Sequence, residues 1–294
     1  MLANDVRGDK LGLFRTFASE NSVQGVVLGT SRSMKIDPRI LEDTSGARFF
    51  NFSVGNARAE DYLAIYRWVR AQRIALRMVI LGLDVEAFHD DDIPDTTLEF
   101  NRELRTALGE WATSSLRAFA LRVRMYKRSM GTTAFRDAVR AIVIVRVAHD
   151  SRAPQRIWPD GRLEQFERKP TSLRVCNDGM QRRYAKMTKL SPRRLARLDM
   201  LISEAIGDGA AVKVWLTPLD PVTRDHLNER TLYRELSAAL RAHLANLARS
   251  VPIELFDYED PRVFNGDPAV WDDCSHVNEA DAARIAVRLI GGRG

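Results

Sequence analysis

The chain has 294 residues, 45% of them hydrophobic and 29% charged, which fits one large or two small globular domains and excludes disorder and fibrous repeats. Its longest apolar run, residues 141–145, stops at Arg146, far short of the ~20 residues a membrane-spanning helix needs, and the amino terminus lacks the apolar core of a signal peptide. The net charge of +6 is concentrated: residues 100–200 carry 23 Lys and Arg against 9 Asp and Glu, while the remainder carries 22 against 30.

In chain order, short apolar runs alternate with helical periodicity. Residues 25–29 form the first predicted strand, which runs into Gly29-Thr30-Ser31-Arg32-Ser33. Residues 47–52 form the second and lead into Ser53-Val54-Gly55-Asn56. A helical stripe follows at Tyr62, Ile65, Trp68 and Val69, then a third strand over 78–83. Ser191 and Pro192 mark a helix start, and Leu195, Leu198, Ile202 and Ile206 form its apolar face. Strands over 212–216 and 252–256 come next, and a last helix over 280–290. Buried β-branched runs separated by amphipathic helices predict an α/β layer protein with a parallel sheet.

Too many residues separate the third and fourth strands for one crossover helix. Residues 86–190 are therefore expected to be an insertion within a single 294-residue domain. Its first half is helical in pattern, with Leu104, Leu108, Trp111, Leu116, Phe119 and Val123 at three- and four-residue steps. Its second half contains Trp158-Pro159-Asp160-Gly161-Arg162, a turn that would close a hairpin. Ligands of open α/β sheets bind at the strands' carboxyl ends, so a segment leaving the third strand there predicts a basic cap over the site.

Three features sit at predicted strand ends. Ser31, at the start of the turn after the first strand, is either an N-cap or a nucleophile beside free backbone N–H groups. The Gly55-Asn56 loop could offer donors to an oxyanion or be an ordinary connection. Asp273-Cys274-Ser275-His276 puts a carboxylate and an imidazole on one side of a turn, as a helix cap or as an oriented general base. The α/β-hydrolase elbow does not fit, because Ser33 stands where its last glycine belongs.

Taken together, "VVLGTSRSMKIDPRIL", "FFNFSVGNARAEDY", "VILGLD", "VWLTPLDP" and "DDCSHVNEADAARIAVRL" resemble the SGNH (GDSL-like) hydrolase superfamily, and within it the cell-envelope branch of acyl-transfer proteins. The resemblance spans most of 20–90 and 205–290. It implies a three-layer α/β/α, flavodoxin-like sandwich around a central parallel sheet of about five strands, with a largely helical insertion after strand three. It also implies Ser31 as nucleophile, His276 as general base and acid, and Asp273 as the residue that orients it. The oxyanion hole would use Ser31 with Gly55 or Asn56. Asp84 stands where the family has an asparagine donor, and an ionised carboxylate cannot donate to an oxyanion.

The expected activity is that of a serine-dependent ester hydrolase or O-acyltransferase working through an acyl-enzyme, with an acylated carbohydrate or small O-ester as substrate. No metal or organic cofactor is called for. The alternative is a non-catalytic module of the same fold that binds an anionic polymer or glycan. Contact of the basic insertion with an anionic polymer or membrane surface is a minority reading, and no nucleic-acid motif is present. An extracytoplasmic or membrane-associated setting follows only from the resemblance.

Other residues divide between two readings. Arg32 either binds an anionic substrate group or covers a helix end, and Asp84 is a candidate substrate contact. His89-Asp90-Asp91-Asp92 with Asp95 reads as a solvated loop rather than a metal site. Trp271 reads as core rather than a sugar platform. The clusters Arg122-Arg124, Lys127-Arg128, Arg182-Arg183 and Arg193-Arg194 read as a solvated face. Cys176 and Cys274 are either bridged, tying the insertion to the D-x-x-H block, or free buried thiols.

Overall fold

The computed structural model describes residues 6–91, 98–99, 101–109, 155–165 and 173–291. Its elements are α1 (Val6–Glu20), β1 (Val23–Gly29), α2 (Pro38–Ser45), β2 (Arg48–Asn51), α3 (Ala59–Ala71), β3 (Met78–Leu83) and α4 (Arg102–Leu108). They continue with β4 (Gln155–Ile157), β5 (Leu163–Gln165), α5 (Leu173–Tyr184), α6 (Pro192–Gly207) and β6 (Ala211–Leu216). The chain closes with α7 (Pro221–Arg230), α8 (Tyr233–Leu247), β7 (Ile253–Asp257) and α9 (Glu279–Gly291).

Five parallel strands form one sheet in the order β2-β1-β3-β6-β7. The strands' alternation sorts the core into two layers. Val26, Leu28 and Phe50 face α1, α3 and α6 through Phe14, Trp68 and Leu198. Their neighbours Val27 and Phe49 face α2 and α9 through Leu41, Ile285 and Leu289. Burying each such side chain contributes about 1.5–3 kcal/mol, so the central strands, covered on both faces, anchor the molecule. This is a three-layer α/β/α sandwich with the predicted five parallel strands. Among the described residues no helix is long and apolar enough to cross a membrane.

Local chemistry accounts for the boundaries. The Asp37 carboxylate accepts the Arg39 N–H at 2.9 Å and Pro38 opens α2, which Gly46 ends in the left-handed conformation at φ 70°. Pro192 opens α6 as expected, although the Ser191 hydroxyl makes no capping bond. Helix α1 was not expected, because Arg7 and Lys10, both buried, interrupt its apolar face. Helices α7 and α8 were likewise not anticipated.

Within the insertion, Leu104 and Leu108 are buried on α4, while Trp111, Leu116, Phe119 and Val123 lie outside the described residues, as do Arg122, Arg124, Lys127 and Arg128. The Trp158–Arg162 turn closes the antiparallel hairpin β4–β5. The segment leaves and returns at one point: Ser191 donates its N–H to the Phe88 carbonyl at 2.8 Å, and Thr188 Oγ1 donates to Asp90 at 2.7 Å.

Arg194 completes this neck. It is 1% exposed, bonded to Glu60 and, at 2.9 Å, to Asp91, and it donates to the His89 carbonyl. This corrects two expectations. Arg194 is not part of a solvated face, and the solvated loop expected at His89-Asp90-Asp91 is solvated only in part, at Asp90 and Asp91, while His89 is buried and all three are hydrogen-bonded into the junction; Asp92 and Asp95 lie outside the described residues. Charge patterning misleads here because it does not register burial in pairs.

Candidate active site

The site begins where β1 ends. Gly29 and Gly82 are register partners on β1 and β3, and a Cβ on either would come within 2.4 or 2.0 Å of Ser33 Oγ. Two bare backbones let the turn after β1 settle onto the strand ends. Thr30 heads that turn, accepting the Arg32 N–H at 3.3 Å and donating its hydroxyl to Asp84 at 2.5 Å. Ser31 is the first residue of the turn, so its N–H has no acceptor within it.

The following backbone is gripped by one side chain. The Asn51 amide donates to the carbonyls of Ser33, Met34 and Ile36 at 2.8, 3.3 and 2.9 Å. From the insertion, Leu163 N–H donates to the Met34 carbonyl at 2.9 Å.

His276 reaches this turn from 245 residues away. Its Nε2 stands 2.9 Å from Ser31 Oγ, and its Nδ1 stands 2.8 Å from both Asp273 oxygens. Because a carboxylate accepts only, Nδ1 is assigned the proton, which leaves the Nε2 lone pair to receive the Ser31 hydroxyl. Asp273 Oδ1 also accepts the N–H groups of Ser275 and His276 at 2.8 and 3.0 Å and the Ser275 hydroxyl at 3.1 Å. Burial alone would raise this carboxyl, but the His276 hydrogen bond and charge, with the Ser275 donors, hold it well below the usual carboxylate range.

The block sits on the edge of the second core layer. Trp271 and Val277 pair in an antiparallel bridge, and the Asp272 N–H donates to the His276 carbonyl at 3.1 Å. Trp271 is half-buried against the α9 core, and its indole N–H is buried with no hydrogen-bond partner among the described residues. Cys274, inside the block, is disulfide-bonded to Cys176 on α5, with 6.0 Å between Cα atoms. That bond decides between the two readings of the cysteines. Cys176, Asp273 and Cys274 are also the metal-like grouping among the described residues, but both sulfurs are consumed in the bridge.

The remaining predicted residues separate into two sets. The loop after β2 is tied to the end of β1 by the Val54 N–H donating to the Gly29 carbonyl at 3.0 Å, and Gly55 and Asn56 follow it. Asn56 is exposed, with its backbone at φ 53°. Arg32 and Asp84, by contrast, face inward, 6% and 4% exposed. Arg32 bonds Glu86 at 3.2 Å and Thr217 at 3.4 Å and stands 3.9 Å from Asp84. Asp84 also caps the Ala87 N–H at 3.2 Å. Burial pushes the Asp84 carboxyl up against the pull of Arg32. Both side chains thus brace the floor beneath the Ser31 turn.

Two lysines were missed. Lys10 of α1 is fully buried and donates to the carbonyls of Asn51 and Ser53 at 2.9 and 2.5 Å, holding the loop after β2 from below. Lys35, 7% exposed, donates to the Val277 carbonyl at 3.2 Å and pairs with Asp272. A signal was present. Arginine outnumbers lysine 38 to 7 in this chain, and Lys10, Lys35 and Lys213 are all buried, so lysine recurs where a compact three-donor ammonium is needed.

No protein-family model matches the chain, and no curated protein matches it. Among solved structures it is similar to a Bacteroides fragilis protein provisionally assigned as an acylhydrolase, at 11% identity and a TM-score of 0.42, over 93% of this chain and 91% of that one. A carbohydrate acetylesterase family member from Sinorhizobium meliloti is similar at 12% identity and 0.41, over 92% and 100%. An aryl esterase from M. smegmatis is similar at 12% and 0.40, over 92% and 97%.

Proposed function

We propose that this chain is a serine-dependent ester hydrolase or O-acyltransferase of SGNH type, acting on an acylated carbohydrate or another small O-ester. The observation that carries the reading is the continuous relay Ser31–His276–Asp273, with contacts of 2.9 and 2.8 Å.

Ser31 Oγ attacks the acyl carbonyl as its proton passes to His276 Nε2. Asp273, kept ionised, stabilises the imidazolium without taking its proton. The tetrahedral oxyanion forms beside the Ser31 N–H, with Gly55 and Asn56 as the further donors; each such donor contributes on the order of 3 kcal/mol to the barrier reduction. His276 then protonates the leaving alkoxide, and Ser31 retains the acyl group. Water, or an alcohol such as a sugar hydroxyl, repeats the sequence in reverse and frees the serine. Asp84 is read as a brace rather than an oxyanion donor, which answers the departure that favoured a non-catalytic module. Residues 86–190 are read as a cap, a view supported by the bridge from Cys176 to the acid–base block.

A fluorophosphonate probe and a panel of p-nitrophenyl esters test the proposal on wild type and Ser31→Ala. Labelling and turnover that vanish in the variant are expected. Equal labelling of both proteins would overturn it.

A further inference from the structure

The acid–base block has little regular structure of its own, yet it must hold the His276 ring within 2.9 Å of a serine carried by a different part of the fold. Among the described residues, no backbone hydrogen bond joins 271–277 to 30–36. Besides the Ser31–His276 contact itself, the side chain of Lys35 links the two segments. Its ammonium donates to the carbonyl of Val277, directly after the histidine, and pairs with the carboxylate of Asp272, directly before the aspartate. One side chain thus grips both flanks of the Asp273–His276 pair.

The stem of that grip is stiff. Lys35 lies between Met34 and Ile36, whose carbonyls are both held by the Asn51 amide, and the Ile36 N–H donates to Ser33 at 3.1 Å. The Lys35 side chain is 5% exposed, so its pairing is only weakly screened, whereas Asp272, at 31%, can be hydrated if the lysine is removed. Loss of the lysine therefore frees the block without leaving a dry, unpaired carboxylate.

We propose that Lys35 is a positioning residue that sets the Ser31–His276 distance by clamping both ends of the acid–base block to the nucleophile turn. The inference rests on the serine acyl-transfer reading. A displacement of about 1 Å in a reacting group can cost on the order of 100-fold in rate, so the clamp acts on the chemical step rather than on substrate binding.

The test compares wild type, Lys35→Met and Lys35→Arg on p-nitrophenyl acetate and a fluorophosphonate, with rates referred to the folded fraction measured by circular dichroism. Lys35→Met should lower kcat about 10- to 100-fold with KM nearly unchanged, and slow Ser31 labelling by a similar factor. Lys35→Arg should recover much of both. Wild-type kcat and labelling rate per folded molecule in Lys35→Met would overturn the inference alone. A wild-type protein that the probe does not label at Ser31 would overturn the acyl-transfer reading, and this inference with it.

Discussion

The two sides of the proposed site, the serine turn and the aspartate–histidine block, are built in opposite ways. Ser31 stands at the end of a central strand, on a turn seated over two glycines, capped by Thr30 and held by Asn51; its place follows from the sheet. Asp273 and His276 stand in a loop that no strand carries, and their place depends on contacts from distant segments: Lys35 on one side and Cys176 on the other. A parallel sheet delivers one functional group precisely at each strand end, but a group needed between strand ends must be brought in by tethers. The two sides should therefore respond differently to perturbation.

The sharpest break is on the nucleophile side. Ser31→Ala removes the proposed attacking atom while leaving the turn intact, and kcat for p-nitrophenyl esters should fall on the order of 10⁵- to 10⁶-fold with an unchanged melting temperature. Asp273→Asn should cost on the order of 10³- to 10⁴-fold, because an amide that donates to Nδ1 imposes the wrong tautomer; steady-state kinetics with labelling of Ser31 measures it. A surviving kcat within about tenfold of wild type would contradict the assigned role of Asp273.

The tethered side should yield smaller, mixed effects. Replacing Cys176 and Cys274 together by serine opens a loop of 98 residues in the unfolded chain, which should lower stability by about 2–5 kcal/mol in urea titration and reduce kcat severalfold. The same treatment of the nucleophile side has no counterpart, since no crosslink holds it.

The subtlest contrast concerns Lys10 beneath the loop after β2. Burial, partly offset by Asp160, lowers its ammonium to about 7. The unfolded chain keeps an ordinary value of ~10.4, so below pH 7 both states are protonated and stability is level. Between about pH 7 and 10 the unfolded state holds the extra proton, and stability should rise with pH. Urea midpoints at several pH values should show that rise in wild type and lose it in Lys10→Met.

The same contrast governs what could be read from the residues alone. The central strands were legible because burial on both faces demands short apolar runs, as at Val26-Val27-Leu28 and Val79-Ile80-Leu81. The serine turn and the Asp273–His276 spacing were legible because each is local, a few residues apart on one turn. The grip of Lys35 was not, since it spans 242 residues and rests on one ammonium that no periodicity marks. Helix α1 escaped for a related reason: its inward face carries Arg7 and Lys10, buried charges with polar partners, which read as surface in a pattern of apolar residues. Two cysteines alone left pairing open, because sequence separation carries no distance.

The junction at Phe88, Thr188 and Ser191 has an evolutionary consequence. Since the chain departs from the sandwich and rejoins it through adjacent hydrogen-bonded residues, a change of length between positions 91 and 188 need not disturb the order of the strands, provided that Leu104, Leu108, Met180 and Tyr184 still pack in the main core and the backbone of Asp160 and Leu163 still bonds Asn51 and Met34. Any replacement segment would have to keep a cysteine opposite Cys274, or do without that covalent tie.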